Sequence, residues 1–112
     1  MTTNSLDLLQ GTLDVLVLRA LNWGPMHGYA VARFIHHGSD GTFTVLDGAL
    51  YTSLHRMEER GWIVGRWVEK TGERRRRFYR LTAAGRTTLD AQRESWKEFV
   101  TAINRVSGVR YA

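Results

Sequence analysis

Apolar residues recur at Leu9, Leu13, Leu16, Val17, Ala20 and Leu21, the spacing of a helix with one buried face. Thr12 is placed to cap its start, and Gly24-Pro25 stops it. A second helical pattern runs from about 27 to 37, with Ala30, Val31 and Phe34 as its apolar stripe and Gly38 closing it. After the loop 38–41, Thr42-Phe43-Thr44-Val45 reads as a short extended piece. Asp47 then reads as the N-cap of a third helix that ends at Gly61 and turns Leu50, Leu54 and Met57 inward.

Beyond Gly61 the period changes. Residues 62–68, Trp-Ile-Val-Gly-Arg-Trp-Val, are β-branched and aromatic and predict a strand. Lys70-Thr71-Gly72-Glu73 is a turn, and 75–81 is the returning strand. Thr82 caps a last helix that runs to about 106 or 107, before Gly108. Helix, helix, helix, hairpin, long helix is the order of a winged helix-turn-helix. The expected fold is therefore α+β, mostly helical, with residues 1–82 as the winged helix-turn-helix and 83–112 as a C-terminal dimerisation helix. On that last helix Leu89, Trp96 and Ile103 repeat every seven residues, Gln92, Phe99 and Val106 follow at an offset of three, and Val100 lies alongside. The core of the small domain is closed without its distal half, so the stripe of Leu89, Trp96, Phe99, Val100, Ile103 and Val106 predicts a two-fold partner, a homodimer.

Charge sharpens this picture. The chain of 112 residues carries a formal net charge of +5 on an ordinary globular composition, 43% hydrophobic and 24% charged. Of its sixteen Lys and Arg, eight fall within 66–86, opposed there by Glu69 and Glu73 alone. Arg74, Arg75, Arg76 and Arg77 stand in a row on the return strand. Four adjacent guanidiniums repel one another and predict an external polyanion, because each phosphate contact releases a counterion. Helical projection puts Gly48, Thr52, His55, Arg56 and Glu59 opposite the inner stripe of the third helix. Small or hydroxylated Gly48, Ala49, Thr52 and Ser53 let it approach double-stranded DNA closely, and Arg56 is placed to reach a guanine edge or a phosphate. Lys70 and the four arginines are the expected backbone contacts.

Several segments together resemble the PadR-type transcriptional regulators. They are Leu8-Leu9-Gln10-Gly11-Thr12-Leu13-Asp14, Gly24-Pro25-Met26-His27-Gly28-Tyr29, Gly48-Ala49-Leu50-Tyr51, 54–61 (Leu-His-Arg-Met-Glu-Glu-Arg-Gly) and 76–85 (Arg-Arg-Phe-Tyr-Arg-Leu-Thr-Ala-Ala-Gly). The closing helix is similar to that of the short-tailed branch. The resemblance covers about residues 8 to 86 and implies a homodimeric cytoplasmic DNA-binding regulator, usually a repressor, sometimes relieved by a small ligand. It also implies that Tyr51 and the wing arginines contact DNA. One departure stands in the third helix, where Thr52 occupies the place of the family's usual Pro; helix propensity rises there, and operator preference is what it puts in doubt.

No cofactor or metal site is expected. His36 and His37 point different ways on a helix, and Cys is absent from the chain. Ser39 lacks the surroundings of a nucleophile, so no catalysis is expected. The first residues lack a basic region followed by an apolar core, and the run 13–21 is broken by Asp14 and Arg19, so neither a signal peptide nor a membrane partner is expected. The flat face of Trp96 near the two-fold suggests a slot for a small aromatic or cationic effector. Two other readings stay open: a basic RNA-binding or nucleoid-type module that grips backbone without reading sequence, and a ligand- or protein-sensing adaptor that does not bind DNA.

Overall fold

The computed structural model describes residues 10–108. In chain order its elements are α1 (Gln10–Leu21), β1 (Met26–His27), α2 (Gly28–Gly38), α3 (Asp47–Glu59), β2 (Ile63–Val68), β3 (Arg76–Leu81) and α4 (Ala83–Ser107). The expected architecture is present: four helices and a small antiparallel sheet, in the order of a winged helix.

α1 is more central than its periodicity implied. Leu13, Asp14, Val15, Val17, Leu18, Ala20 and Leu21 are all buried, because α2, α3, α4 and β3 pack around it. Thr12 lies inside this helix and does not cap it, and Leu9 falls outside the described residues. Val31 and Ile35 of α2 and Leu50, Leu54 and Met57 of α3 close on α1 from the other side, with Ile63, Tyr79 and Leu81 of the sheet completing the core. The buried edge of α2 thus runs through Ile35, with Ala30 and Phe34 half-buried beside it.

The helix starts differ from expectation in instructive ways. α3 begins one residue early, with Leu46 as N-cap and no side-chain cap bond; Asp47 is its first residue, where its charge still favours the helix dipole. α2 is capped by His27, whose Nδ1 accepts the Ala30 N–H at 3.2 Å. Thr82 caps α4 as expected, its Oγ1 accepting the Gly85 N–H at 3.0 Å and donating to the Gly61 carbonyl at 2.6 Å. A Cβ at Gly85 would collide with the Trp62 carbonyl, so this first turn of α4 can lie against the strand entrance only with glycine there.

The sheet has three strands in the order β1-β3-β2. Ile63 pairs with Leu81 and Val68 with Arg76 across the hairpin. The third strand was not foreseen: Met26 and His27 pair with Tyr79 and Phe78, two residues being too short to leave an alternating pattern. Residues 42–45 form no strand; Val45 is buried there without a ladder.

α4 spans 25 residues, about 37 Å at 1.5 Å per residue. Its buried residues are Gly85 and Leu89, both in the first two turns. Leu89, expected in the intersubunit stripe, is 1% exposed and belongs to the core of its own domain. The rest of the helix runs outward, which makes the molecule 56 Å long but 20 Å across its narrowest dimension.

Candidate nucleic-acid interface

α3 presents Gly48, Ala49, Thr52, His55 and Glu59 to solvent. His55 and Glu59 pair along this face at 3.6 Å. Two residues expected on the face are held elsewhere. Ser53 is fully buried and its hydroxyl donates to the Asp14 carboxylate of α1, so it is not part of the exposed surface. Arg56 lies at the margin of the face, its Nε donating to Asp14 Oδ2 at 3.2 Å and its Nη2 to Oδ1 at 2.7 Å. Asp14 read in the sequence as an interruption of an apolar run; the signal that linked it to Ser53 and Arg56 was their shared side of α3, three residues apart.

Tyr51 flanks the other margin. Its ring end rests on Gly28, where any Cβ would lie 2.8 Å from the hydroxyl oxygen, and half of its surface stays open. A side chain at Gly28 would displace this ring end.

The four arginines have four different surroundings. Arg74 is exposed. Arg75 lies over the Trp67 ring, 4.6 Å from its centroid. Neither has a carboxylate within ion-pair distance among the described residues. Arg76 brings Nη1 to 2.9 Å from His27 Nε2. Arg77 turns inward: Nη2 donates to Glu58 Oε2 at 2.6 Å, and its guanidinium approaches the rings of Trp67 and Tyr79. Of the four arginines read together as partners for an external polyanion, Arg77 is ion-paired within its own domain. The same Glu58 oxygen also accepts the Gly65 N–H at 3.1 Å, so one carboxylate ties α3 to both wing strands. A Cβ at Gly65 would run into the Arg77 guanidinium and push it from this position. Lys70 is exposed at the wing tip.

Between α3 and the wing lies an open cleft of about 560 Å³, walled by Tyr29 and Tyr51 on one side and by Trp67 and Arg74, Arg75 and Arg76 on the other. His27 sits at its edge. Burial, and then the neighbouring Arg76 charge, lower its pKa from the usual 6.5. Burial raises that of Tyr79 above its ordinary 10.0, against the opposing pull of Arg77. Among the described residues no group of three or more His, Cys, Asp or Glu is placed to hold a metal ion. No helix of the described chain is long and apolar enough to cross a membrane.

The distal stripe of α4 is open to solvent in one copy. Phe99 is 53% and Val106 89% exposed, with Trp96, Val100 and Ile103 half-buried; Trp96 meets Phe99 edge-on at 5.4 Å.

Helices, sheet order and cleft define a winged helix-turn-helix protein of the regulator type. The family model described as the PadR-like transcriptional regulators matches residues 17–91, and the chain belongs to that family. It is 28% identical to a transcriptional regulator from Clostridium thermocellum, whose structure superposes with a TM-score of 0.81 over 88% of this chain and 96% of that one. A PadR family regulator from Clostridium difficile is similar at 25% identity and a TM-score of 0.77, covering 86% and 98% of the two chains. Bacillus subtilis PadR, solved in complex with operator DNA, shares the fold at 20% identity and a TM-score of 0.65, over 71% of this chain and 45% of that one. By sequence the chain is also 25% identical over 92 residues to uncharacterised protein X of Lysinibacillus sphaericus, 82% of this chain and 84% of that protein.

Proposed function

We propose that this PadR-family regulator binds duplex DNA in a sequence-specific way, as a cytoplasmic homodimer that represses from a near-palindromic operator. The observation that carries the reading is a pair of exposed surfaces, one on α3 and one on the wing. On one side α3 offers a face of small side chains, Gly48, Ala49 and Thr52, narrow enough to enter a major groove. On the other, Arg74 and Arg75 have no carboxylate partner and lie where a phosphate backbone would pass. The Bacillus relative solved with operator DNA supports the same direction. Catalysis has no part in this reading.

Residues 1–82 carry the DNA-binding part, completed by the first two turns of α4, and the remainder of 83–112 assembles the dimer through Trp96, Phe99, Val100, Ile103 and Val106. Paired α4 helices would set the distance between two α3 helices. The edge-on Trp96 and Phe99 rings leave an indole face for a planar or cationic effector that relieves repression by altering that distance. Such a ligand must prefer one spacing over the other, since equal affinity shifts nothing.

Selection of binding sites from random duplexes tests the reading directly. An inverted repeat should emerge, and random duplex should compete poorly with it at physiological salt. Equal competition would instead favour a module that grips backbone without reading sequence. Effector binding is checked by titrating planar aromatic compounds against Trp fluorescence, with Trp96→Ala as control.

A further inference from the structure

Asp14 is a carboxylate between Leu13 and Val15, on a helix that core surrounds on nearly every side. Removing an ionised group from water is costly unless close partners replace its hydration. Both partners come from α3: the Ser53 hydroxyl, and Arg56 through Nε and Nη2. For joining two helices, an apolar pair of similar volume would serve at least as well, because such replacements of buried ion pairs are often neutral or stabilising. Adhesion of α1 to α3 therefore leaves the arrangement unaccounted for. The orientation it imposes on Arg56 does account for it.

A guanidinium carries five N–H donors in one plane. Asp14 takes the Nε proton and one proton of Nη2. Three donors remain, two of which, one on Nη1 and one on Nη2, lie parallel along the edge those nitrogens share. That pair matches the O6 and N7 acceptors of guanine in the major groove. The Arg56 side chain keeps 25% of its surface, against 9% for Asp14, so the arginine is the more accessible partner of the pair. Arg56 follows Thr52 by four residues and Ala49 by seven, which places the three on one ridge of α3. Long helical side chains lean toward the N-terminus of their helix, and the two residues on that side are exposed and small.

We propose that Asp14 is a positioning residue for base recognition: it holds the Arg56 guanidinium so that its Nη1–Nη2 edge reads a guanine. The inference rests on the DNA-binding reading above and deepens it. An untethered arginine donates to a phosphate or to any base acceptor within reach. A tethered one presents two aligned donors, and a base that cannot accept both leaves a donor unpaired on desolvation.

The experiment starts from the site selected by the wild-type protein. Affinities are measured for that site, for each single base-pair change applied to both half-sites, and for random duplex. Wild type, Asp14→Asn, Arg56→Lys and the double variant are compared. Arg56→Lys keeps an ion pair with Asp14 but loses the two-donor edge, and should lose roughly 5- to 150-fold discrimination at one G·C pair. Asp14→Asn removes the charge and replaces one of the two acceptor oxygens by an N–H₂ donor, so Arg56 loses its two-point hold. It should lose discrimination at that same pair, add nothing further to Arg56→Lys, and bind random duplex as well as wild type or better, since a negative charge has gone. A purely structural Asp14 would instead lower affinity for every sequence alike. If Asp14→Asn fails to fold, Arg56→Lys alone decides, and a lysine variant that discriminates like wild type overturns the proposal. Intact discrimination in a folded Asp14→Asn does the same while leaving the DNA reading in place. A wild-type protein with no sequence preference removes that reading itself, and this inference with it.

Discussion

At the scale of single residues, adjacent positions with the same side chain carry separable duties. Arg75 lies on an exposed ring with no carboxylate partner among the described residues, whereas Arg77 is ion-paired to Glu58. Arg75→Ala should leave stability within roughly 0.5 kcal/mol and lower DNA affinity for all sequences, with the salt dependence flattened by about one ion per protomer. Arg77→Ala should do the reverse first: about 1–2 kcal/mol of stability lost, because Glu58 is left half-buried with only the Gly65 N–H as its donor. Thermal melts beside salt titrations separate the two. Ser53→Ala removes a buried hydrogen bond to Asp14 and should cost about 1–2 kcal/mol, read as a fall in melting temperature. These distinctions were not legible in the sequence. Four identical letters in a row say nothing about which one finds a carboxylate 19 positions earlier.

Among elements, what was legible was whatever repeats. The three helices, the hairpin and the long terminal helix all follow from periodicity and from Gly and Thr punctuation, and Thr82 caps where its position says it should. The failures came where one residue decides: a two-residue strand, a histidine cap, and a leucine whose heptad position fits a partner but whose neighbours are its own core. The histidine cap has a consequence for α2. Nδ1 must be unprotonated to accept the Ala30 N–H, and the pKa of His27 is lowered in the folded protein. The folded state therefore binds fewer protons than the unfolded chain. The contribution is fully present above the ordinary pKa of 6.5 and is lost as pH falls below it. His27→Asn keeps a capping acceptor and cannot titrate, so its melting temperature should drop less than that of wild type between pH 7.5 and pH 5.

For the whole molecule, length is the governing property. Two-fold assembly through α4 would place two α3 helices on one face, and half-sites about one helical turn, roughly 10 bp, apart. Sedimentation at micromolar concentration should give a dimer, and Phe99→Ala should weaken it by about 3–5 kcal/mol if the ring is buried between copies. A wild-type monomer would remove the assembly reading. Its sequence signal is the run of apolar positions continuing past Leu89; that the domain's own core ends there depends on tertiary packing, which a heptad pattern does not carry.

Glu58 joins the groove-facing helix to both strands of the wing, and this bears on heat and disorder rather than on contact. Two parts already locked together lose little freedom when a duplex settles against them. Calorimetry should then show a heat-capacity change set by the surface covered on docking, without the extra negative term of a segment that folds as it binds. Glu58→Gln, which keeps the shape but weakens the clamp, should bring that term in: a larger negative heat-capacity change and a less favourable entropy, at a binding free energy that moves far less than either.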